Sequence, residues 1–154
     1  MVERPAMGRA LAFGAAAGLG TALVIALFHA LLSVTAGFIA ISVLGGWLMG
    51  VGVRSGAWSG RPHRPARAPL ALAAALGLAT WIAGLVLAWL LSMLILPGST
   101  RPFLDRLVAV PFLDWLGPQL GPLDLLRLVL LAGVAWVTAH TTALERAAAD
   151  RPAG

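Results

Sequence analysis

The sequence predicts an all-α integral membrane protein: a bundle of four transmembrane helices with short amphipathic surface helices between spans three and four. Of its 154 residues, 60% are hydrophobic and only 11% are charged, whereas soluble domains are roughly a quarter charged. The apolar residues also occur in blocks too long for the core helices of soluble proteins, which indicates that lipid is the solvent. The length suits a single membrane domain over residues 1–154.

The first two spans come from one uncharged stretch. Residues 10–53 contain no Asp, Glu, Lys or Arg over 44 positions. As one helix this stretch would be roughly 66 Å long at about 1.5 Å per residue, about twice the thickness of the bilayer core. It must therefore turn back once, and the polar, glycine-marked segment 33–37 is the predicted turn. The two spans are then 10–32 and 37–53.

A basic segment precedes the third span. Residues 54–68 combine four arginines with glycine and proline, which predicts a polar, helix-breaking loop. Span three is predicted at 69–96, between a proline that suits a helix start and a Pro-Gly stop. Its 28 residues exceed what a perpendicular span needs, so we expect tilt or an emerging end. The fourth span is predicted at 122–142.

The arginines predict the orientation of the bundle, because short cytoplasmic loops carry an excess of Lys and Arg. Eight of the eleven arginines lie at the N-terminus, in loop 54–68 and at the C-terminus, against two in segment 97–121. We therefore expect both termini in the cytoplasm. The composition, without Lys, Tyr or Asn, suggests a GC-rich bacterial genome and hence the bacterial cytoplasmic membrane. The loop arginines expected to bind anionic lipid headgroups are Arg54, Arg61, Arg64 and Arg67.

An alternative interpretation makes the first span a signal peptide that is cleaved after residues 34–36. The small residue at that point fits a cleavage site. The apolar stretch before it, however, is much longer than the roughly 7–15 residues of a signal-peptide core. The sequence therefore favours a retained span.

Segment 97–121 contains a short repeat rather than a span. Pro-Phe-Leu-Asp occurs at 102–105 and at 111–114, with a weaker Pro-Leu-Asp copy at 122–124. Each proline can start a helical turn, and each aspartate then lies near the positive helix end. We expect one or two short amphipathic helices on the outer membrane surface, with a lid or docking surface and a simple connector as alternatives. The residues expected to anchor these helices are Phe103, Phe112 and Trp115.

Glycines at helical spacing predict close packing of the spans. Spans one and two each contain two glycines four residues apart, a pattern that lets membrane helices approach closely. Because a tight turn joins these spans, we expect antiparallel neighbours. Packing within the chain is the first interpretation, and a glycine face for a partner subunit or a flat cofactor is the alternative. The glycines are Gly14, Gly18, Gly46 and Gly50.

Asp124 and Arg127 are the candidate functional pair within a span. Three residues apart on a helix, they share a face one turn inside the outer boundary. Ionisable residues at this depth are candidate functional sites. The structural alternative is a local ion pair in which Arg127 snorkels outward and Asp124 occupies the first helical turn. The functional interpretation is a contact between Arg127 and an anionic headgroup, a substrate or a partner.

The sequence argues against catalysis and bound cofactors. Cysteine is absent, which excludes disulfides, thiolate metal sites and cysteine nucleophiles. His29 and His140 lie in apolar helices but near opposite membrane faces, so one haem iron cannot join them within one chain, and a haem that bridges two copies is the remaining alternative. The net charge of +5 is explained by arginines at span ends, so no nucleic-acid partner is predicted. We predict no cofactor and no metal site.

Two segments carry a family resemblance. Residues 37–54, which begin Gly-Phe-Ile-Ala-Ile-Ser-Val-Leu-Gly-Gly and end Val-Arg, resemble the second helix of small bacterial four-span membrane proteins that are uncharacterised. Residues 122–139, which begin Pro-Leu-Asp-Leu-Leu and end Thr-Ala, resemble the last helix of those proteins. The resemblance implies the fold and the topology. It implies no activity and no catalytic residues.

The leading function hypothesis is a non-enzymatic accessory or assembly subunit that packs against other membrane proteins or against copies of itself. The lipid bilayer and anionic lipid are the other expected partners. The alternative is a small transport or ligand-binding component with a site near Asp124 and Arg127. An intramembrane enzyme is least favoured, because the spans lack a nucleophile with a base.

Overall fold

A computed structural model describes residues 5–31, 35–58, 67–95 and 100–149, with side chains described at 5–30, 37–58, 67–95 and 100–140. The helices are α1 (Met7–Leu31), α2 (Thr35–Trp58), α3 (Arg67–Ile95), α4 (Phe103–Ala109), α5 (Phe112–Gln119) and α6 (Pro122–Ala149). Helices α1, α2, α3 and α6 are long and apolar enough to cross a membrane. The predicted four-span helical fold is confirmed, as are two short helices after span three.

The four long helices form a bundle with a defined order of neighbours. Helix α1 packs against α2 and α3, and α6 packs against the same two helices. Consequently α1 and α6 occupy opposite corners, and α2 and α3 meet across the centre. We call the end where α1 and α3 start and α2 ends the arginine end. The opposite end, where α4 and α5 lie and α6 starts, is the proline end.

The interior of the bundle consists mainly of small side chains. Buried alanines occur on all four long helices, and the largest fully buried side chains are Met49, Val53 and Leu131. Small residues allow the backbones of membrane helices to approach closely. The outward faces carry the larger apolar residues, such as Leu19 and Val129, which are 61% and 65% exposed. Apolar surface of this extent is favourable in lipid and unfavourable in water.

The predicted glycines lie inside this bundle. Gly14 and Gly18 of α1 face α2 and α3, since a Cβ added at Gly18 would lie 2.5 Å from the hydroxyl oxygen of Thr80. Gly46 and Gly50 face α6, where an added Cβ would lie 2.6 Å from a backbone carbonyl oxygen in each case. All four positions are therefore occupied by neighbouring helices of the same chain. They offer no free glycine face to a partner subunit or a flat cofactor.

The pair Gly46 and Gly50 does not serve the contact between the first two spans. Helix α2 meets α1 through four other glycines, and an added Cβ at each would meet α1 at close range. These glycines are Gly37, Gly45, Gly52 and Gly56. Helix α2 stands between α1 and α6, so it carries a separate glycine face for each of them.

Helix α2 is longer than the predicted second span. It ends at Trp58 rather than at 53, so Arg54 lies in the helix and not in a loop. The extension packs on the start of α1: an added Cβ at Gly56 would lie 2.4 Å from the carbonyl oxygen of Arg9. The backbone N–H of Ala6 also donates to the carbonyl of Ala57 at 3.0 Å. Close backbone contact therefore continues the helix past the first charged residue.

The predicted loop and turn are correspondingly shorter. Helix α3 begins at Arg67 instead of 69, and α2 begins at Thr35 instead of 37. Arg61 and Arg64 of the predicted loop lie outside the described residues, as does the part of the predicted turn before Thr35. At the other end of the chain, α6 continues to Ala149, beyond the predicted end of span four at 142.

The two full copies of the repeat adopt the same local structure. Pro102 and Pro111 are the N-cap residues of α4 and α5, with φ −53° and ψ 150°, and φ −55° and ψ 150°. In each copy the proline carbonyl accepts a hydrogen bond from the backbone N–H four residues later. The aspartates fall in the first turns, near the positive helix ends. Both predicted helix starts are confirmed.

One of the three predicted surface anchors, Phe112, packs against the bundle. The ring centroids of Phe112 and Trp89 of α3 are 5.7 Å apart, and those of Phe112 and Trp115 are 6.3 Å apart. The Trp89 indole N–H also donates to the carbonyl of Val110 at 3.0 Å. Phe112 is therefore half-buried by a contact that holds α5 to α3, and half-buried Trp115 stacks on Phe112 within α5. The more exposed apolar side chains of α4 and α5 are Leu104, Val108 and Leu113.

Candidate functional site

The start of α6 fixes the position of Asp124. One carboxylate oxygen of Asp124, Oδ2, accepts a hydrogen bond from the backbone N–H of Gly121 at 3.1 Å. The backbone N–H of Asp124 in turn donates to the carbonyl of Gly121 at 3.0 Å. A side chain at the third helical position that reaches back to the residue before the helix is half of a capping box. Pro122, at the first helical position, has no N–H that needs a partner.

The predicted pair Asp124 and Arg127 is brought together. The Arg127 Nη1 donates to Asp124 Oδ1 at 2.5 Å. Asp124 and Arg127 are only 7% and 9% exposed. The predicted local pairing therefore holds, but Arg127 does not snorkel outward. It turns into the bundle, because Asp124 lies on the same helix face and an aromatic side chain covers the guanidinium.

Phe38 and His29 complete the cluster around Arg127. The guanidinium carbon of Arg127 lies 4.4 Å from the ring centroid of Phe38, within the range of a cation–π interaction. The imidazole of half-buried His29 also lies against Phe38, and the two ring centroids are 4.5 Å apart. We call these four residues, contributed by α1, α2 and α6, the proline-end cluster.

One donor of the cluster has no acceptor among the residues that the structure describes. The Nε of Arg127 is buried and makes no hydrogen bond to them. Asp124 does not satisfy it, since its Oδ2 accepts from the backbone N–H of Gly121 and its Oδ1 accepts from Nη1 of Arg127. Buried donors in proteins are nearly always paired with protein, water or ligand. The Nε–H of Arg127 is therefore a buried donor without an acceptor within the described part of the chain.

Sequence reasoning found half of this cluster. The spacing of Asp124 and Arg127 predicted the ion pair, because residues three apart on a helix are neighbours. Phe38 and His29 were missed as partners of that pair, since they lie far away in the chain and no local pattern connects them. The sequence offered one indication of these partners, which is that an aromatic residue and a histidine lie near the same predicted end of the bundle.

A second feature is an open groove of about 340 Å³ between the outward faces of α1 and α2. Its lining is nearly all apolar, and its polar side chain, Thr21, donates its hydroxyl to the carbonyl of Ala17 at 2.9 Å. An added Cβ at Gly20 would meet nothing within 4 Å. Ala16 and Gly20 are four residues apart, so the sequence contained a second small-residue pattern, on the outward face of α1.

The remaining candidates lie apart from these two features. Arg54 and Arg67, predicted to contact lipid headgroups, lie half-buried and exposed at the arginine end. His140 stacks on Trp136 with ring centroids 5.7 Å apart, on the part of α6 that is remote from His29. Within the part of the chain that the structure describes, no three His, Asp or Glu side chains come together as metal ligands.

No family model, curated protein or solved structure matches this chain. The resemblance to small bacterial four-span membrane proteins therefore stays a prediction.

Proposed function

We propose that this chain is a non-enzymatic accessory or assembly subunit that packs laterally against a transmembrane helix of another membrane protein. The observation that carries the proposal is the open apolar groove between α1 and α2. Ala16 and Gly20 line it on α1, and Leu44 and Leu48 line it on α2. Small residues four apart, flanked by larger apolar ones, are typical of helix–helix contacts in lipid.

A partner in this groove would contact residues other than the four glycines that the sequence first suggested. The four glycines first considered for packing are occupied by helices of the same chain, as the close approach of Gly46 and Gly50 to α6 illustrates. Gly20 instead has open space around it. A partner helix would therefore sit against Gly20, and substitutions at Gly46 would disturb the bundle itself.

The proposal places the protein in the bacterial cytoplasmic membrane with both termini in the cytoplasm. Its support is the excess of arginine in the N-terminal, 54–68 and C-terminal segments over segment 97–121. Arg54 and Arg67 lie at the arginine end, where they would meet anionic headgroups of the cytoplasmic leaflet. Each arginine near such a surface contributes about 1 kcal/mol of attraction.

The experiment uses the absence of cysteine in the chain. A single cysteine in Gly20→Cys carries a photo-crosslinker into the groove, and Gly133→Cys is the matched control. Gly133 is also a helical glycine with nothing within 4 Å of an added Cβ. We expect one membrane protein to crosslink at position 20 and not at 133. The same protein should be lost from native purifications of Gly20→Leu and retained with Gly133→Leu.

Three results would contradict this proposal. Equal crosslinking at both positions would mean that the groove is not a preferred contact. Adducts at twice the mass of the chain would replace the heterologous partner with a second copy. Crosslinking to lipid alone would show that no membrane protein occupies the groove, which contradicts a role as a subunit.

A second candidate function is favoured by a separate observation. The buried Nε of Arg127, unpaired within the described part of the chain, supports a small transport or ligand-binding component with a site at Asp124 and Arg127. Ionisable side chains at this depth in a membrane protein usually serve function. This candidate predicts that Arg127→Ala loses ligand binding while Gly20→Leu retains it.

A further inference from the structure

The guanidinium of Arg127 is held in one orientation by the groups around it. Nη1 is fixed by Asp124, and one face of the guanidinium is covered by Phe38. An arginine has five N–H donors in a rigid plane. With the plane fixed in this way, the direction of the Nε–H bond is also fixed, and Arg127 as a whole is only 9% exposed.

The acceptor for this donor must come from outside the described residues. Both oxygens of Asp124 accept hydrogen bonds from other groups. Water is scarce in the hydrocarbon region, so an unpaired donor there is costly. Arg127 lies in the second turn of α6, close to the proline end of the bundle. A headgroup or aqueous oxyanion that reaches the proline end would supply such an acceptor oxygen.

We infer that Arg127, together with His29, binds a phosphate oxyanion that enters at the proline end. This inference rests on the second candidate function and names its ligand class. The planar guanidinium matches the oxygens of phosphate better than a point charge does. His29 adds a ring N–H donor from α1 in either protonation state, and its imidazole lies beside Phe38. The phosphate belongs either to a lipid headgroup or to a free anion.

The carboxylate of Asp124 makes phosphate recognition depend on the orientation of the donor more than on net charge. Asp124 offsets the charge of Arg127, so the pair presents a directed donor more than a net positive charge. A lysine at position 127 would keep the charge but would lose the planar donor. Arg127→Lys should therefore bind phosphate at least tenfold more weakly than the wild type. Arg101→Lys, a change at an exposed arginine at the same end, should leave binding within about twofold.

The test observes the Nε–H signal of Arg127 by nitrogen-15 NMR of the full chain in a phosphate-free maltoside detergent. Arg127→Lys assigns this signal by removing it, the phosphate affinities of Arg127→Lys and Arg101→Lys are compared with the wild type by phosphorus-31 NMR titration, and far-UV circular dichroism checks that each variant is folded. The probes are inorganic phosphate, a short-chain phosphatidylglycerol and acetate. A shift with inorganic phosphate identifies a free anion as ligand, and a shift with phosphatidylglycerol alone identifies a headgroup; either result supports the inference.

Two results would overturn the inference in distinguishable ways. A shift with acetate and with neither phosphate probe would remove phosphate as the ligand class but leave a ligand site at Arg127. The absence of a shift with all three probes would remove both the inference and the second candidate function. Because the measurement uses the wild-type protein, neither result depends on a variant that fails to fold.

Discussion

The glycines that face α6 allow a direct test of the bundle. In Gly46→Ala the new Cβ would lie 2.6 Å from the carbonyl oxygen of Leu131 and 3.0 Å from Cβ of Val134. Ordinary carbon contacts are about 3.5 Å or longer. The carbonyl oxygen belongs to the backbone of a buried helix, so it cannot rotate away as a side chain can. Helices α2 and α6 must therefore separate to accommodate one methyl group.

The expected change in the free energy of unfolding is the sum of two opposing effects. Forcing an extra methyl group into a packed interior costs about 1–3 kcal/mol, and replacing glycine with alanine in a helix returns up to about 1 kcal/mol. With the full return, Gly46→Ala should lower the free energy of unfolding by about 0–2 kcal/mol, and by the upper part of that range because backbone atoms block the methyl group. In the matched control Gly133→Ala, the added Cβ meets nothing within 4 Å. That control should gain about 0.5–1 kcal/mol from helix propensity alone.

The assay is reversible unfolding by sodium dodecyl sulfate in mixed micelles, followed by far-UV circular dichroism. The free energies of unfolding of the two alanine variants should move in opposite directions. If Gly46→Ala were as stable as Gly133→Ala, the close approach of α2 and α6 would be wrong. The reasoning about which helix faces Gly46 would then be refuted as well.

Three further predictions concern the proline end. Asp124→Ala leaves the buried guanidinium of Arg127 without its carboxylate and should lower the free energy of unfolding by about 3–5 kcal/mol, while Asp124→Ala combined with Arg127→Leu should recover much of the loss. Trp89→Phe removes the hydrogen bond to the segment between α4 and α5. The lost hydrogen bond should reduce the stability of this segment by about 1 kcal/mol, so amide exchange in both short helices should accelerate. Phe112→Ala should accelerate exchange in α5, whereas Leu113→Ala, at a side chain that is 75% exposed, should not.

Each of these predictions has a result that contradicts it. If the double variant at positions 124 and 127 were less stable than Asp124→Ala alone, the loss would not come from an unpaired buried charge. Unchanged exchange in Trp89→Phe would mean that the indole does not hold the short helices. Equal effects of Phe112→Ala and Leu113→Ala on exchange would return Phe112 to the predicted role of a surface anchor.

The sequence by itself determined the elements of this protein. The uncharged stretch 10–53 is too long for one span and too apolar for water, so two helices were required. Proline fixes its own φ and lacks an N–H, which set the starts of α4 and α5 at Pro102 and Pro111. The ion pair of Asp124 and Arg127 was predictable for the same local reason, because helical spacing alone places the two on one face.

Only the tertiary structure decided which faces meet. In a soluble helix the polar side indicates which face is exposed, but a membrane helix is apolar all round, so its hydropathy pattern does not give its rotation. The pairing of Gly46 with α6, the inward turn of Phe112, and the meeting of His29 and Phe38 with Arg127 all depend on that rotation. It is set by the fit of small side chains between helices, which exists only once all four spans are assembled.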